Sequence, residues 1–162
     1  MAKFASDLYT EAAGDTLGFL HALMLQINDH MTFDTDPTHA GTSAPEAFAL
    51  KRGVCQDYAH IFIACARSAG VPARYISGHL LRSDGMIAQD AGHAWAEAHV
   101  ERLGWVGFDA PNAICTTDAH VRAAGGLDYL SAAPARGTRY GGGTETLEVA
   151  VRADQAGRQS QS

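Results

Sequence analysis

The chain has 162 residues, 46% of them hydrophobic and 19% charged, which is enough for one globular domain with a substantial core. Its formal net charge of −6 and its lack of any basic run exclude nucleic acid and anionic membranes as natural partners. No apolar run approaches the roughly 20 residues that span a bilayer, and the N-terminus has no signal-peptide core. Three cysteines are too few for a disulfide framework, so the sequence predicts a cytoplasmic protein.

The first third of the chain predicts two helices separated by a loop. Residues 1–14 are small and polar, and we expect them to be loosely ordered. An apolar stripe with helical spacing predicts a helix over 16–31. Residues 32–43, rich in Thr, Asp and Pro, are typical of a loop. The capping-box pattern at its end then opens a short helix over 45–51.

Residues 52–69 place a cysteine directly after a glycine and at the start of an apolar helix. Gly53 permits a sharp turn, and from Tyr58 onward the apolar residues recur at intervals of three and four. Gly70 ends this helix. Cys55 therefore lies where backbone N–H groups are unpaired and the helix dipole is positive, a position that favours the nucleophilic thiolate.

Beyond residue 70 the pattern changes from helical spacing to strands and loops. Strict alternation over 93–100 places His93 and Trp95 on one face of a strand. The alanines fall on the other face, where a helix could pack closely. Residues 82–92 and 110–124 are expected to be irregular. Four segments are predicted as strands: 73–81, 93–100, 105–109 and 146–151.

The order of these elements defines the fold class and the domain. Helices followed by strands indicate an α+β fold, in which N-terminal helices pack on a mainly antiparallel sheet. We assign residues 1–154 to a single core domain. The polar residues 155–162 are expected to form a disordered tail.

A cysteine nucleophile needs a base within hydrogen-bond reach and a third group that orients the base. His93 and Asp109 are the candidates, because they lie on successive strands joined by a short turn. The side chains of His93 and Asp109 lie on the same face of the sheet only under one condition. The numbers of two residues directly opposite each other in the hairpin must add up to an even value. A loop of about five residues, with His99 opposite Trp105, would make them diagonal neighbours. A symmetric four-residue loop would place them on opposite faces.

Four sequence blocks carry a family resemblance. They are Gly-Val-Cys-Gln-Asp-Tyr-Ala-His at 53–60, Gly-Val-Pro-Ala-Arg-Tyr-Ile-Ser-Gly at 70–78, His-Ala-Trp-Ala-Glu at 93–97 and Gly-Trp-Val-Gly-Phe-Asp at 104–109. In these blocks the chain resembles the transglutaminase-like superfamily, and more narrowly its bacterial branch of thiol proteases. The resemblance covers roughly residues 32–151.

The resemblance implies a papain-like α+β core with a catalytic triad. Cys55 would be the nucleophile, His93 the base and Asp109 the residue that orients the base. The sequence departs from the family after Asp109, where Ala-Pro-Asn stands in place of the usual Pro-Thr-Asn. The carboxylate is retained, but the loop that follows it is expected to differ.

These residues predict a thiol-dependent hydrolase or acyltransferase that acts on peptide or isopeptide amides through an acyl-thioester. Peptidase or amidase action is favoured, because no apparatus for a second substrate is evident. Two alternatives stay open: a protein-glutamine gamma-glutamyltransferase that cross-links proteins, and a catalytically silent binding module of the same fold. The expected partner is a protein or peptide substrate, and the oligomeric state is left open.

Several further residues have two interpretations each. The backbone N–H of Cys55 could donate to an oxyanion, with Gln56 or Trp95 as a second donor. Asp57 could cap the helix or orient the site, and capping is favoured. His60 could hold a local hydrogen bond or support the site. The histidines and cysteines show no zinc-binding spacing, so neither a metal nor another cofactor is predicted.

Overall fold

The computed structural model describes residues 1–81 and 92–133 in full, and the backbone of two short strands at 88–89 and 151–152. In this part of the chain the α-helices are α1 (Ala2–Glu11), α2 (Thr16–His30), α3 (Ala44–Leu50), α4 (Cys55–Ser68) and α5 (Tyr129–Ala132). A 3₁₀ helix covers Ala110–Asn112. None of these helices has the length and apolar character required to cross a membrane.

The strands assemble around one five-stranded antiparallel sheet, whose spatial order is β7-β6-β5-β3-β8. Strands β1 and β2 pair in parallel, and β4 pairs with β9. The strands are β1 (Thr32–Phe33), β2 (Arg52–Gly53), β3 (Ala73–Leu80), β4 (Ala88–Gln89), β5 (His93–Val100), β6 (Gly104–Asp109), β7 (Ile114–Cys115), β8 (His120–Gly126) and β9 (Val151–Arg152).

The N-terminal residues form a helix, which corrects the expectation that 1–14 are loosely ordered. In α1, Ala5 is fully buried and the ring of Phe4 lies 5.3 Å from that of Phe48 on α3. A short apolar stripe is thus enough for α1 to form, because most short helices are stabilised by tertiary packing rather than by intrinsic helix propensity. The helices predicted over 16–31 and 45–51 are confirmed within one residue at each end.

Helix α4 packs against the alanine face of β5 and forms the centre of the core. Its Tyr58, Ile61 and Phe62 are buried, and the ring of Phe62 stacks 5.1 Å from that of Phe108 on β6. Burial of each side chain of this size stabilises the folded chain by roughly 1.5–3 kcal/mol. Because the alanines of β5 are small, α4 can pack closely against the sheet. This close packing sets the distance between Cys55, the first residue of α4, and β5.

Of the two hairpin registers that the sequence left open, the β5–β6 hairpin has the one that the triad requires. His99 is opposite Trp105 and Ala96 is opposite Phe108, so opposed residue numbers sum to an even value. Pairing continues to Val100, which leaves a turn of three unpaired residues, 101–103, shorter than expected. The register places the end of β6 diagonally across from the start of β5, on the side of the sheet away from α4.

Strand β8 corrects the expectation that 110–124 are irregular throughout. It runs antiparallel to β3, and a shift in register between Ser77 and Gly78 interrupts the pairing. In its sequence, His-Val-Arg-Ala-Ala-Gly-Gly, the alternation of polar and apolar residues lasts only four residues, which is a weak signal, so its pairing with β3 is what defines it as a strand. The predicted strand 146–151 and the tail 155–162 lie outside the described residues, apart from the backbone of Val151.

Candidate active site

The start of α4 is fixed by a buried carboxylate. Val54 stands at the N-cap and has no hydrogen-bonding side chain, so Asp57 reaches back and accepts from the Val54 N–H at 2.8 Å. The hydroxyl of Thr38 donates to the same Oδ2 at 2.7 Å, and Asp57 is only 1% exposed. A Cβ on Gly53 would lie 2.4 Å from that oxygen, which explains the glycine. Asp57 therefore caps the helix and holds Cys55, its partly exposed first residue, in place.

His93 and Asp109 meet at the ends of neighbouring strands. The ring nitrogen Nε2 of His93 lies 2.8 Å from Oδ2 of Asp109, which is fully buried. Cys55 is close enough to His93 for its side chain to contribute, after Asp109, to raising the pKa of the imidazole. Since Nε2 faces the carboxylate, Nδ1 is the nitrogen left for the sulfur. The structure thus brings the three residues of the predicted triad together in one chain of contacts.

The electrostatics of this chain favour charged partners. Burial alone would lower the pKa of His93. Its hydrogen bond to Asp109 and its interaction with Cys55, with the charges of both groups, outweigh burial and raise that pKa to about 9. Burial would likewise raise the pKa of Asp109. The hydrogen bond and charge of His93, with further donors, outweigh burial and lower it. At neutral pH the site therefore holds an imidazolium beside an ionised carboxylate.

Two residues that the sequence analysis missed also bind Asp109. The Nδ2 of Asn112 lies 2.8 Å from Oδ2, and the Nε2 of His120 lies 3.0 Å from the same oxygen. The Thr117 N–H donates to Nδ1 of His120 at 3.0 Å, so Nδ1 is an acceptor and Nε2 carries the hydrogen. His120 thereby presents Nε2 as the donor to Asp109. Among the described residues the other oxygen, Oδ1, is buried without a partner.

Three side chains at this site could in principle hold a metal ion. The ligand atoms of His93, Asp109 and His120 lie within 4.8 Å of one another. The two nitrogen–oxygen distances are 2.8 and 3.0 Å. Tetrahedral zinc with bonds near 2.0–2.1 Å would separate its ligand atoms by about 3.3 Å. Both ring nitrogens also point at one carboxylate oxygen rather than at a shared vacant point. The geometry fits hydrogen bonds to an anion better than metal coordination.

Neither side chain named as a second oxyanion donor points to that role. The amide Nε2 of Gln56 donates to the Ala40 carbonyl at 3.2 Å, so it ties α4 to the 34–43 loop. Trp95 is buried and packs edge-on against His120, with ring centroids 5.3 Å apart. The donor best placed by the fold is the backbone N–H of Cys55, because the first N–H groups of a helix have no acceptor within it.

His60 is occupied away from the site. Its Nε2 accepts from the backbone N–H of Tyr129 at 3.1 Å, and its ring lies 5.1 Å from that of Tyr75. Burial lowers the pKa of His60, which suits a neutral acceptor. The hydrogen bond of His60, expected to be local, is instead made to a residue distant in sequence, and it connects α5 to α4.

Comparison with known proteins assigns the family. The sequence model of the Transglutaminase-like superfamily matches residues 3–110. The chain belongs to the transglutaminase-like superfamily. An uncharacterized protein of Mycobacterium leprae is 35% identical over 118 residues, which cover 70% of this chain and 42% of that protein. A protein-glutamine gamma-glutamyltransferase of Pseudomonas aeruginosa is 27% identical over 155 residues, 87% of this chain and 23% of the enzyme.

Solved structures confirm the predicted papain-like α+β fold. A predicted cysteine protease from Cytophaga hutchinsonii superposes with a TM-score of 0.66 at 27% identity, over 81% of this chain and 44% of that one. The periplasmic domain of TgpA from Pseudomonas aeruginosa has a TM-score of 0.54 at 24% identity, over 69% and 42%. The chain spans less than half the length of each of these relatives.

Proposed function

We propose that this chain is a thiol-dependent hydrolase or acyltransferase acting on peptide or isopeptide amides, with Cys55 as nucleophile, His93 as acid and base, and Asp109 as the group that orients His93. One observation carries the proposal. The His93 imidazole bridges a cysteine at a helix start and a buried carboxylate, and its pKa is raised to about 9. This arrangement keeps a proton on the imidazole and favours a thiolate beside it.

The first half of the reaction forms the acyl-enzyme. The Cys55 thiolate attacks the amide carbonyl carbon, a C–S bond forms, and the carbonyl electron pair moves onto oxygen. The Cys55 backbone N–H, at the positive end of α4, can donate to that oxyanion. His93 then gives its proton to the leaving nitrogen as the C–N bond breaks. The products are a free amine and an acyl-thioester on Cys55.

The second half releases the acyl group. His93, now neutral, takes a proton from an incoming nucleophile, which attacks the thioester carbonyl. The C–S bond breaks and the thiolate is regenerated beside the imidazolium. Water as nucleophile gives a carboxylic acid, the peptidase or amidase outcome. A lysine amine gives a new amide, and the similarity to the Pseudomonas glutamyltransferase keeps this second outcome as a candidate.

The test is to trap the intermediate. A peptide library is incubated with the chain, with and without a primary amine, and the acyl adduct is located by mass spectrometry. We expect an adduct on Cys55 that Cys55→Ala lacks, whereas Cys115→Ala, the matched control, keeps it. Released acids indicate hydrolysis, and amine-linked products indicate transfer. If no peptide acylates Cys55 while the fold is intact, the chain is the silent binding module and the proposal fails.

A further inference from the structure

The second feature of interest is a cleft at the opposite end of the sheet from Cys55. It has a volume of about 690 Å³ and is lined by Arg67, Arg74, Arg122, Trp105, Pro72 and Leu127, among others. Arg74 is paired across the sheet with Glu97, four residues along β5 from His93. At about 3.3 Å per residue, the backbones of Glu97 and His93 are roughly 13 Å apart along β5. Arg74 therefore lines the cleft at the far end of β5 from His93, whereas Arg122 starts on β8 two residues from His120 and reaches the cleft with its side chain.

Two of the three arginines are held by one buried carboxylate. Arg74 donates to Oε2 of Glu97 from Nε at 2.8 Å, and Arg122 donates to Oε1. Glu97 is 4% exposed, whereas the side chain of Arg122 is 51% exposed. One carboxylate thus positions two guanidinium groups while matching the charge of only one. The cost of ordering these long side chains is already met before any ligand arrives.

The third arginine is positioned without any carboxylate. Arg67 donates to the carbonyls of Ala73 and Leu127, using Nε and both hydrogens of Nη2. Within the described residues the Nη1 group has no partner. The nearby Asp128 carboxylate is exposed and accepts from the Ser131 N–H at 2.8 Å, so it caps α5. Arg67 thus lines the cleft without a carboxylate hydrogen bond in the described part of the chain. The hydrogen bonds from Ser131, and with them the charge of Arg67, lower the pKa of Asp128.

The other wall of the cleft is apolar. The guanidinium of Arg74 lies 4.1 Å from the centroid of the Trp105 ring, a cation–π contact that fixes both groups. Trp105 is 42% exposed and Leu127 is 72% exposed, so both offer apolar surface to a ligand in the cleft. A volume of this order is typical of a site for a small organic molecule and far exceeds the needs of a bare anion.

From these contacts we infer that the cleft binds a phosphate monoester, with the phosphate on Arg67, Arg74 and Arg122 and an apolar body against Trp105 and Leu127. The guanidinium groups come from three elements, α4, β3 and β8, and all three residues line the same cleft. A tetrahedral phosphate offers three terminal oxygens to them, whereas a carboxylate offers two. The negative charge of a phosphate at neutral pH, between −1.5 and −2, complements the surplus of guanidinium groups.

The test uses phenyl phosphate as the probe and the indole N–H signals of the ¹⁵N-labelled chain as the readout. We expect phenyl phosphate to shift the Trp105 signal with a millimolar or tighter dissociation constant and to leave that of buried Trp95 unchanged. Phenol and 3-phenylpropionate should bind more weakly. Inorganic phosphate should bind more weakly than phenyl phosphate, because it has no apolar body to contact Trp105 and Leu127. This difference distinguishes a site for a phosphate ester from a site for the free ion.

Variants distinguish specific binding by the cleft arginines from a general effect of positive charge. Arg122→Gln should weaken phenyl phosphate about tenfold, the effect of losing a hydrogen bond to a charged group. Lys3→Gln removes the same charge from α1 and should leave binding unchanged. An unshifted Trp95 signal shows that each variant is folded, and Arg122→Lys, which can keep the Glu97 ion pair, should fall between them. Failure of phenyl phosphate to shift Trp105, equal binding of phenol or 3-phenylpropionate, or full binding by Arg122→Gln would overturn the inference.

Discussion

The described chain contains two cysteine–histidine contacts, and only one of them has the surroundings that catalysis requires. Cys55 meets His93 at the start of α4, and Cys115 on β7 lies 3.3 Å from Nε2 of His21 on α2. Asp109 stands behind His93. Among the described residues no carboxylate is bonded to His21, and burial raises the pKa of Cys115. A sulfur next to an imidazole is therefore not sufficient: the helix start and the carboxylate make the difference.

The largest expected effect comes from the two sulfurs. Cys55→Ala should reduce kcat/KM for a substrate peptide by about 10⁴-fold or more, because the covalent route is lost. Cys115→Ala should stay within a factor of about two, because it removes only a sulfur that takes no part. Steady-state kinetics on both variants checks this. Comparable losses at the two positions would break the comparison.

The two imidazoles should differ almost as strongly. His93→Ala should lower kcat by about 10²–10⁴-fold, the usual contribution of a general acid and base. His21→Ala removes a ring that touches Cys115 and Phe108 and should affect stability more than rate. Turnover numbers, with thermal unfolding of each variant as control, decide the matter. A His21→Ala variant as slow as His93→Ala would refute the assignment.

His120→Phe sharpens the comparison by weakening the carboxylate rather than removing it. The change deletes one of three hydrogen bonds to Oδ2 of Asp109 while keeping an aromatic ring beside Trp95. We expect a roughly tenfold fall in kcat, since a hydrogen bond to a charged group is worth about 1.5–3 kcal/mol. The acidic limb of the pH–rate profile should move to higher pH, because the pKa of Asp109 is held low in part by His120. A lower rate with an unmoved profile would indicate a purely structural role.

The smallest effect is on stability. The pKa of His93 is raised to about 9 in the folded chain, from about 6.5 when unfolded. Its contribution is therefore fully present below about pH 6.5 and is lost as pH rises toward 9. Urea unfolding should show a decline of one to a few kcal/mol over that window. The decline should be smaller in Cys55→Ala and unchanged in His21→Ala. A free energy of unfolding that stays flat or rises would contradict the assigned shift.

Local patterns predicted the elements that carry the three central residues. The glycine turn and apolar stripe placed Cys55 at the start of α4. The parity rule stated which hairpin register would bring His93 beside Asp109, and the structure has that register. These features depend on neighbours close in sequence, where spacing alone fixes geometry. The cap at Asp57 follows from the same local logic.

The remaining contacts depend on pairing between distant segments. His120 reaches Asp109 only because β8 returns to β3, and the alternation in β8 ends after four residues, too short a pattern to predict the strand. Asn112 depends on the 3₁₀ helix that follows Asp109. The contact of His60 with Tyr129 crosses the fold in the same way. Such contacts are properties of the assembled sheet rather than of any one segment.

The central claim is that Cys55, among the cysteines of this chain, is held as a reactive thiolate by His93. The most direct test is alkylation by iodoacetamide across a pH series, with each labelled cysteine located by mass spectrometry. We expect Cys55 to react faster than Cys65 and Cys115 at every pH of the series, because it lies at the start of α4 beside the His93 imidazolium. His93→Ala should abolish that advantage. Burial raises the pKa of Cys65 to about 11, so Cys65 should label slowly throughout. Equal, slow labelling of all three cysteines would contradict the account.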